Sequence, residues 1–423
     1  MGVLFGSLLV LFLLNVPLAI SVGLSCVLWL TFDGGPIPYL VVAHRFVRGL
    51  DSFPILAIPF FMLAGQFMNQ GGIAKRLIDF AYSLVGSFRG GLAHINIVVS
   101  MFFAGMTGSG VADTSAVGSI LIPSMKENGY SKEVAVSVTA ISSVIGVIIP
   151  PSIVAVMYAI VAEISIGKLL LAGALPGILL GLALMGVVFV LSKKRGYPPA
   201  GEFDLRNILP SFKRAVLPLI TVVIVVGGIY AGIVTPTEAS ILCAVYAFIL
   251  SKFIYRTLKW KDLPRIFIDT AVISSLGLFL LGTTSVFSWI VATQQIPQQI
   301  FNLITGFTTN PVVILLGIIA VLLLVGTVLE SIAAIIIMVP IMQPIALSIG
   351  LDPIHFGAVV CLAVGLGLAT PPVGVCLFVA CGIGETRVSE IFGPLMPFFI
   401  AALIVLLLVA FIPQISLFIP SLM

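Results

Sequence analysis

Along this chain the apolar residues come in solid blocks. No Asp, Glu, Lys or Arg occurs in residues 1–32, 134–162, 169–192, 270–329 or 391–423. Each block exceeds the ~20 residues a helix needs to cross the hydrocarbon core, and 270–329 has room for two or more crossings. Lipid forces a spanning segment to satisfy its own backbone, so the blocks predict helices; a β-barrel would alternate in polarity instead. The pattern predicts an all-α polytopic membrane protein surrounded by the lipid bilayer. The first block has no basic leader and outlasts the apolar core of a signal peptide. It reads as retained membrane structure, interrupted near Asn15 and Pro17.

Composition agrees. Of the 423 residues 60% are apolar and 9% charged, against about 25% charged in soluble domains. The loops 193–214 and 252–265 hold 11 of the 20 basic residues, which places both in the cytoplasm by the positive-inside rule. The segment 215–251 must then leave and return, turning near Thr235-Pro236-Thr237. Because topology accounts for the basic residues, they do not suggest a nucleic-acid partner. Cys26, Cys243, Cys361, Cys376 and Cys381 all lie in apolar segments without a zinc-ligand spacing, and His44, His94 and His355 are scattered.

Two ordered sets of residues suggest a repeat. Asp113-Thr114 and Ile122-Pro123 match Glu330-Ser331 and Val339-Pro340 at an offset of 217. Gly129, Gly146 and Pro150-Pro151 match Gly350, Gly367 and Pro371-Pro372 at an offset of 221. A four-residue insertion absorbs the difference, and Pro17 pairs with Pro236 as a weaker anchor. The expected organisation is two inverted repeats. The first covers 1–210, with a hairpin at about 105–125 and a helix break at about 149–152. The second covers 211–423, with a hairpin at about 326–347 and a break at about 370–374.

The breaks carry the chemistry. A proline pair removes two backbone donors and leaves carbonyls of the preceding turn without partners. Such carbonyls, beside Ser and Thr hydroxyls, are hard ligands for a small cation. The half-helix that follows presents N–H groups and a positive dipole end, which favours a carboxylate. Two such arrangements facing each other predict a midplane site for an anion with cations. Bare loop backbone at Gly105–Gly110 would be buried in protein or line a wet cavity. Asp113 and Glu330, acids inside apolar segments, are expected to cap the hairpin helices. Enzyme chemistry finds no support: no base accompanies Ser109, and the glycine cluster lacks the Lys of a phosphate loop.

The stretch Gly105-Met-Thr-Gly-Ser-Gly-Val-Ala-Asp-Thr-Ser-Ala-Val-Gly118 resembles the first hairpin motif of the large membrane subunit of tripartite ATP-independent periplasmic (TRAP) transporters. So do Ile149-Pro-Pro-Ser152, Gly232-Ile-Val-Thr-Pro-Thr-Glu-Ala239 and Gly367-Leu-Ala-Thr-Pro-Pro-Val-Gly374. The resemblance implies an elevator-type fold in a bacterial inner membrane and sodium-driven uptake of a small organic acid. Four-carbon dicarboxylates, sialic acids and other sugar acids are the cargo classes. It also implies two partners, a periplasmic substrate-binding protein and a small four-helix membrane subunit, the latter expected as a separate chain. Carried over by motif, Na+ would be held by Thr107, Gly108, Ser109, Gly110, Pro150 and Ser152 in the first half. In the second half the positions are Gly326, Thr327, Gly367, Thr370 and Pro371. The substrate would meet Ser109, Ser152, Thr370 and Gly374. A stand-alone ion-coupled symporter is the alternative.

Overall fold

The computed structural model describes residues 2–34, 37–202 and 205–422. Among these residues the regular structure is entirely helical. Seven helices are long and apolar enough to cross a bilayer, or nine spans if two bent pairs are each counted once. The N-terminal block is interrupted as expected: Asn15 takes a positive φ of 60° and a new helix begins at Leu18.

The element order runs twice. A first hairpin is made of Gly91–Thr107 and Gly110–Glu127, and a broken helix follows as Lys132–Ile148 and Ile153–Val161. In the second half the hairpin arms are Pro311–Val328 and Ser331–Ser348, and the broken helix is Pro353–Gly367 and Val375–Gly384. The long helices Ile166–Arg195 and Val388–Phe411 close the two series. The expected hairpin ranges held only the tips and second arms, because the apolar first arms carry no break to mark them. Residue 210 is a proline inside helix Leu205–Val222, so the halves divide between Arg195 and Leu205 rather than at 210.

The repeats are inverted. Helix Ala57–Gln70 ends at the basic end, where Thr257 Oγ1 donates to Gly71 O (3.0 Å) and Tyr255 OH to Arg214 O (3.2 Å). The first hairpin enters from that end, and Ala200 N–H donates to Gly86 O (2.8 Å) at its base. Leu263–Thr293 starts at the same end, but its 31 residues carry the chain about 46 Å to the other side. The second hairpin therefore enters from the opposite face. Its arms are long enough to cross, yet their tip meets the first hairpin's tip at one cavity, so the pair is re-entrant.

The core lies where the two broken helices cross. Every residue of Val134–Ser142 and His355–Gly367 is buried, as a helix apolar on all sides must be. Gly365 permits the crossing: a Cβ there would sit 3.2 Å from Val144 Cγ1.

Candidate functional site

Each hairpin tip docks on the proline break of its own half. Gly108 ends the first arm in the left-handed region (φ 62°), and its carbonyl accepts from Ile153 N–H (3.3 Å), just past Pro150-Pro151. In the second half Thr327 O accepts from Gly374 N–H (2.9 Å), just past Pro371-Pro372. A Cβ on Gly367 would lie 2.5 Å from Gly326 Cα, so these glycines let two backbones touch.

The second hairpin arms, 18 residues in each half, fix the register. They align at 221, as do Lys132 with Pro353 and Pro123 with Pro344. The 217 pairing and its four-residue insertion are therefore corrected. Glu330 corresponds to Ser109, not to Asp113. Ser109 is the N-cap of Gly110–Glu127 and accepts from Ala112 N–H (3.4 Å); Glu330 is the N-cap of Ser331–Ser348 and accepts from Ile332 N–H (2.9 Å). Asp113 does not cap. It sits one turn inside, 1% exposed, and neither carboxylate oxygen has a hydrogen-bond partner. The Ser100 hydroxyl beside it is turned to Ser142 (3.1 Å).

A cavity of about 690 Å³ opens between the tips and the helices Leu18–Phe32, Ala57–Gln70 and Leu263–Thr293. Four helix N-termini reach it, through Gly110, Ile153, Ser331 and Val375. Two are capped by the hydroxyls of Ser109 and Ser152, one by the Glu330 carboxylate, and the Gly374 end by no side chain. Glu330 is the one charged residue in the lining as described; no Lys, Arg or His is there. Positive dipole ends without a basic side chain suit a small anion held through backbone N–H groups.

Of the sequence-predicted positions, Thr107, Gly108, Ser109 and Gly110 line this cavity together with Glu330. Pro150, Ser152, Gly326, Thr327, Gly367, Thr370, Pro371 and Gly374 are outside the lining, around the two docking contacts, with Thr370 and Pro371 half-buried. The Ser152 hydroxyl donates to Val147 O and accepts from Ala155 N–H (3.0 Å). Thr370 Oγ1 donates to Leu366 O (2.6 Å) and Thr327 Oγ1 to Leu324 O (2.8 Å). The pattern missed the opposite wall, where Gln66, Asn69 and Thr270 face the tips. Its signal was present: Gln66 and Asn69 are three apart, on one face of a helix whose residues before Gln66 are all apolar. Among the described residues no group of three His, Cys, Asp or Glu could hold a metal ion, so any cation here would rely on hydroxyl, carbonyl and single carboxylate oxygens.

Residues 5–415 match the family described as "Tripartite ATP-independent periplasmic transporter, DctM component". The chain is 37% identical to the C4-dicarboxylate TRAP transporter large permease protein DctM of Rhodobacter capsulatus, covering 100% of this chain and 99% of that protein. It is 40% identical to the sialic acid TRAP transporter large permease protein SiaM of Vibrio cholerae, covering 90% and 89%. The crystal structure of the YdaH transporter of Alcanivorax borkumensis shares the fold at a TM-score of 0.61 and 13% identity, over 90% of this chain and 89% of that one.

Proposed function

We propose, from the premise that this chain belongs to the tripartite ATP-independent periplasmic transporter family as its DctM component, that it imports a small organic acid together with sodium. The observation that carries this reading is the cavity: four helix N-termini, one carboxylate, and no basic side chain in the described lining. An anionic cargo placed there gains from the dipole ends, but Glu330 works against it. A co-bound cation removes that repulsion. Asp113 is consistent with the same reading: a buried carboxylate without a hydrogen-bond partner is strongly disfavoured as an anion, so it is either protonated or compensated by a cation. Sodium is then cargo, drawn to hard oxygens at and behind the tips: Thr107, Ser109 and Ser152 in the first half, Thr327, Glu330 and Thr370 in the second.

The cargo is a C4-dicarboxylate or a sialic acid, the classes named for two of the relatives, or another sugar acid. The hairpins, broken helices and their glycine contacts would move as one body past the cavity's opposite wall, in an elevator motion across a bacterial inner membrane. A small membrane subunit and a periplasmic binding protein complete the machine. The test is uptake by liposomes carrying this chain and the small subunit. We expect uptake to need the loaded binding protein; undiminished uptake from dissolved acid alone would make the chain a stand-alone symporter.

A further inference from the structure

At the basic end of the molecule an apolar groove meets a cationic rim, away from the central cavity. The groove, about 220 Å³, has only apolar residues in its lining. Phe60 and Phe67 come from Ala57–Gln70, Ile241 and Phe248 from Pro236–Ile249, and Leu263 and Phe267 from Leu263–Thr293. Phe60 to Phe67 and Ile241 to Phe248 are each two turns, so the groove runs about 10 Å into the membrane from its mouth. Phe67 packs on Phe248 (ring centroids 5.4 Å apart) and on Phe267 (6.1 Å) and fixes that mouth.

The rim is the segment that leads into Leu263. Residues 252–265 carry Lys252, Arg256, Lys259, Lys261 and Arg265 against Asp262 alone, five positive charges less one negative. Asp262 is occupied by the Lys259 N–H (2.9 Å). Lys252 Nζ sits 4.3 Å over the Trp260 ring and donates to Leu258 O (3.1 Å). Arg265 approaches Asp269 only to 3.7 Å with its side chain 84% exposed, an arrangement worth little in water. Lys261 is exposed and makes no ion pair among the described residues.

We propose that groove and rim together hold one anionic phospholipid, an acyl chain between the phenylalanines and the phosphate against Lys252, Lys261 and Arg265. Charge complementarity selects this occupant. A neutral lipid would fill the groove and leave the rim's charges unmatched, and a partner helix would have to bring its own acids to this depth. Trp260, 65% exposed, lies where indole rings settle among headgroups. The positive-inside rule puts this end in the leaflet with the negative surface potential. Helix Ala57–Gln70 shows Phe60 and Phe67 to the groove and Gln66 and Asn69 to the central cavity, so a seated lipid would brace a wall of the transport site.

The experiment is native mass spectrometry of the purified full chain, titrated with phosphatidylglycerol or with phosphatidylcholine of the same acyl chains. Phosphatidylglycerol is expected to bind at least tenfold more tightly. The variant Lys252→Gln/Lys261→Gln/Arg265→Gln should lose about 100-fold for phosphatidylglycerol and nothing for phosphatidylcholine. Val245→Trp, which fills the groove from its lipid-facing side and leaves the rim intact, should weaken phosphatidylglycerol at least tenfold. Equal binding of the two lipids, or a triple variant that binds like the original, overturns the proposal. So does displacement by inorganic phosphate, which would mark a site for the free anion, or by the small membrane subunit, which would mark a protein interface.

Discussion

In the first hairpin the arm Gly91–Thr107 is tied to its broken helix by a buried polar network. Asn96 Nδ2 donates to Thr139 Oγ1 (2.7 Å), Ser142 Oγ donates to Asn96 Oδ1 (3.0 Å), and Ser100 Oγ donates to Ser142 Oγ (3.1 Å). In the second hairpin the corresponding positions at 221 are Gly317, Val321, Val360 and Ala363. Nothing directional joins that arm to its helix there. The backbones instead approach directly at Gly326 and Gly367. The docking of a tip on a proline break, made in both halves by one backbone hydrogen bond, is thus reinforced in two ways, by side-chain hydrogen bonds along the arm in one half and by the close approach of Gly326 and Gly367 in the other. Directional bonds hold one register, whereas a smooth apolar contact holds only a shape. The two hairpins should therefore fail differently.

Gly367→Ala should have the largest effect. Its Cβ would meet Gly326 backbone, which has no side chain to turn away, and overpacking of this kind costs about 1–3 kcal/mol. We expect a lower melting temperature and at least a tenfold loss of uptake in reconstituted vesicles. Asn96→Ala attacks the other half. It takes one partner each from Thr139 and Ser142, whose hydroxyls keep Ala135 O and Thr139 O, at about 0.5–1.5 kcal/mol, and Val360→Thr, whose hydroxyl can bond back within its own helix, should cost less. Denaturant melts of the two variants check this; if Asn96→Ala is neutral, the polar network is not what secures the first hairpin. Glu330→Gln is milder in stability, within about 0.5 kcal/mol, since the amide oxygen can still accept from Ile332 N–H. It should raise the sodium concentration for half-maximal uptake several-fold, read from sodium titrations. Ser152→Ala removes an N-cap and should cost about 1 kcal/mol in the same melts.

The membrane blocks were legible because lipid leaves a spanning segment few options, and the breaks because Pro150-Pro151 and Pro371-Pro372 can do little else in a helix. The register of the hairpins was not. Asp113-Thr114 looks like Glu330-Ser331, and Pro340 offers a false partner for Pro123 one turn before the true one at Pro344. Only backbone geometry separates an acid that caps from an acid one turn deeper. Gln66, Asn69 and Thr270 were hidden for a related reason. A polar residue in an apolar helix could face lipid headgroups, a neighbour or a cavity, and its partners across the cavity lie far away in sequence.

That cavity presents positive helix ends and a single carboxylate, so an organic acid should enter it only in company with a cation. The most direct measurement is paired tracer flux of sodium and of the organic acid, in liposomes holding this chain with the proposed small subunit and a loaded binding protein. Sodium should enter in fixed ratio to the acid, and potassium in its place should stop uptake of both. Acid uptake at full rate with potassium alone would contradict the account.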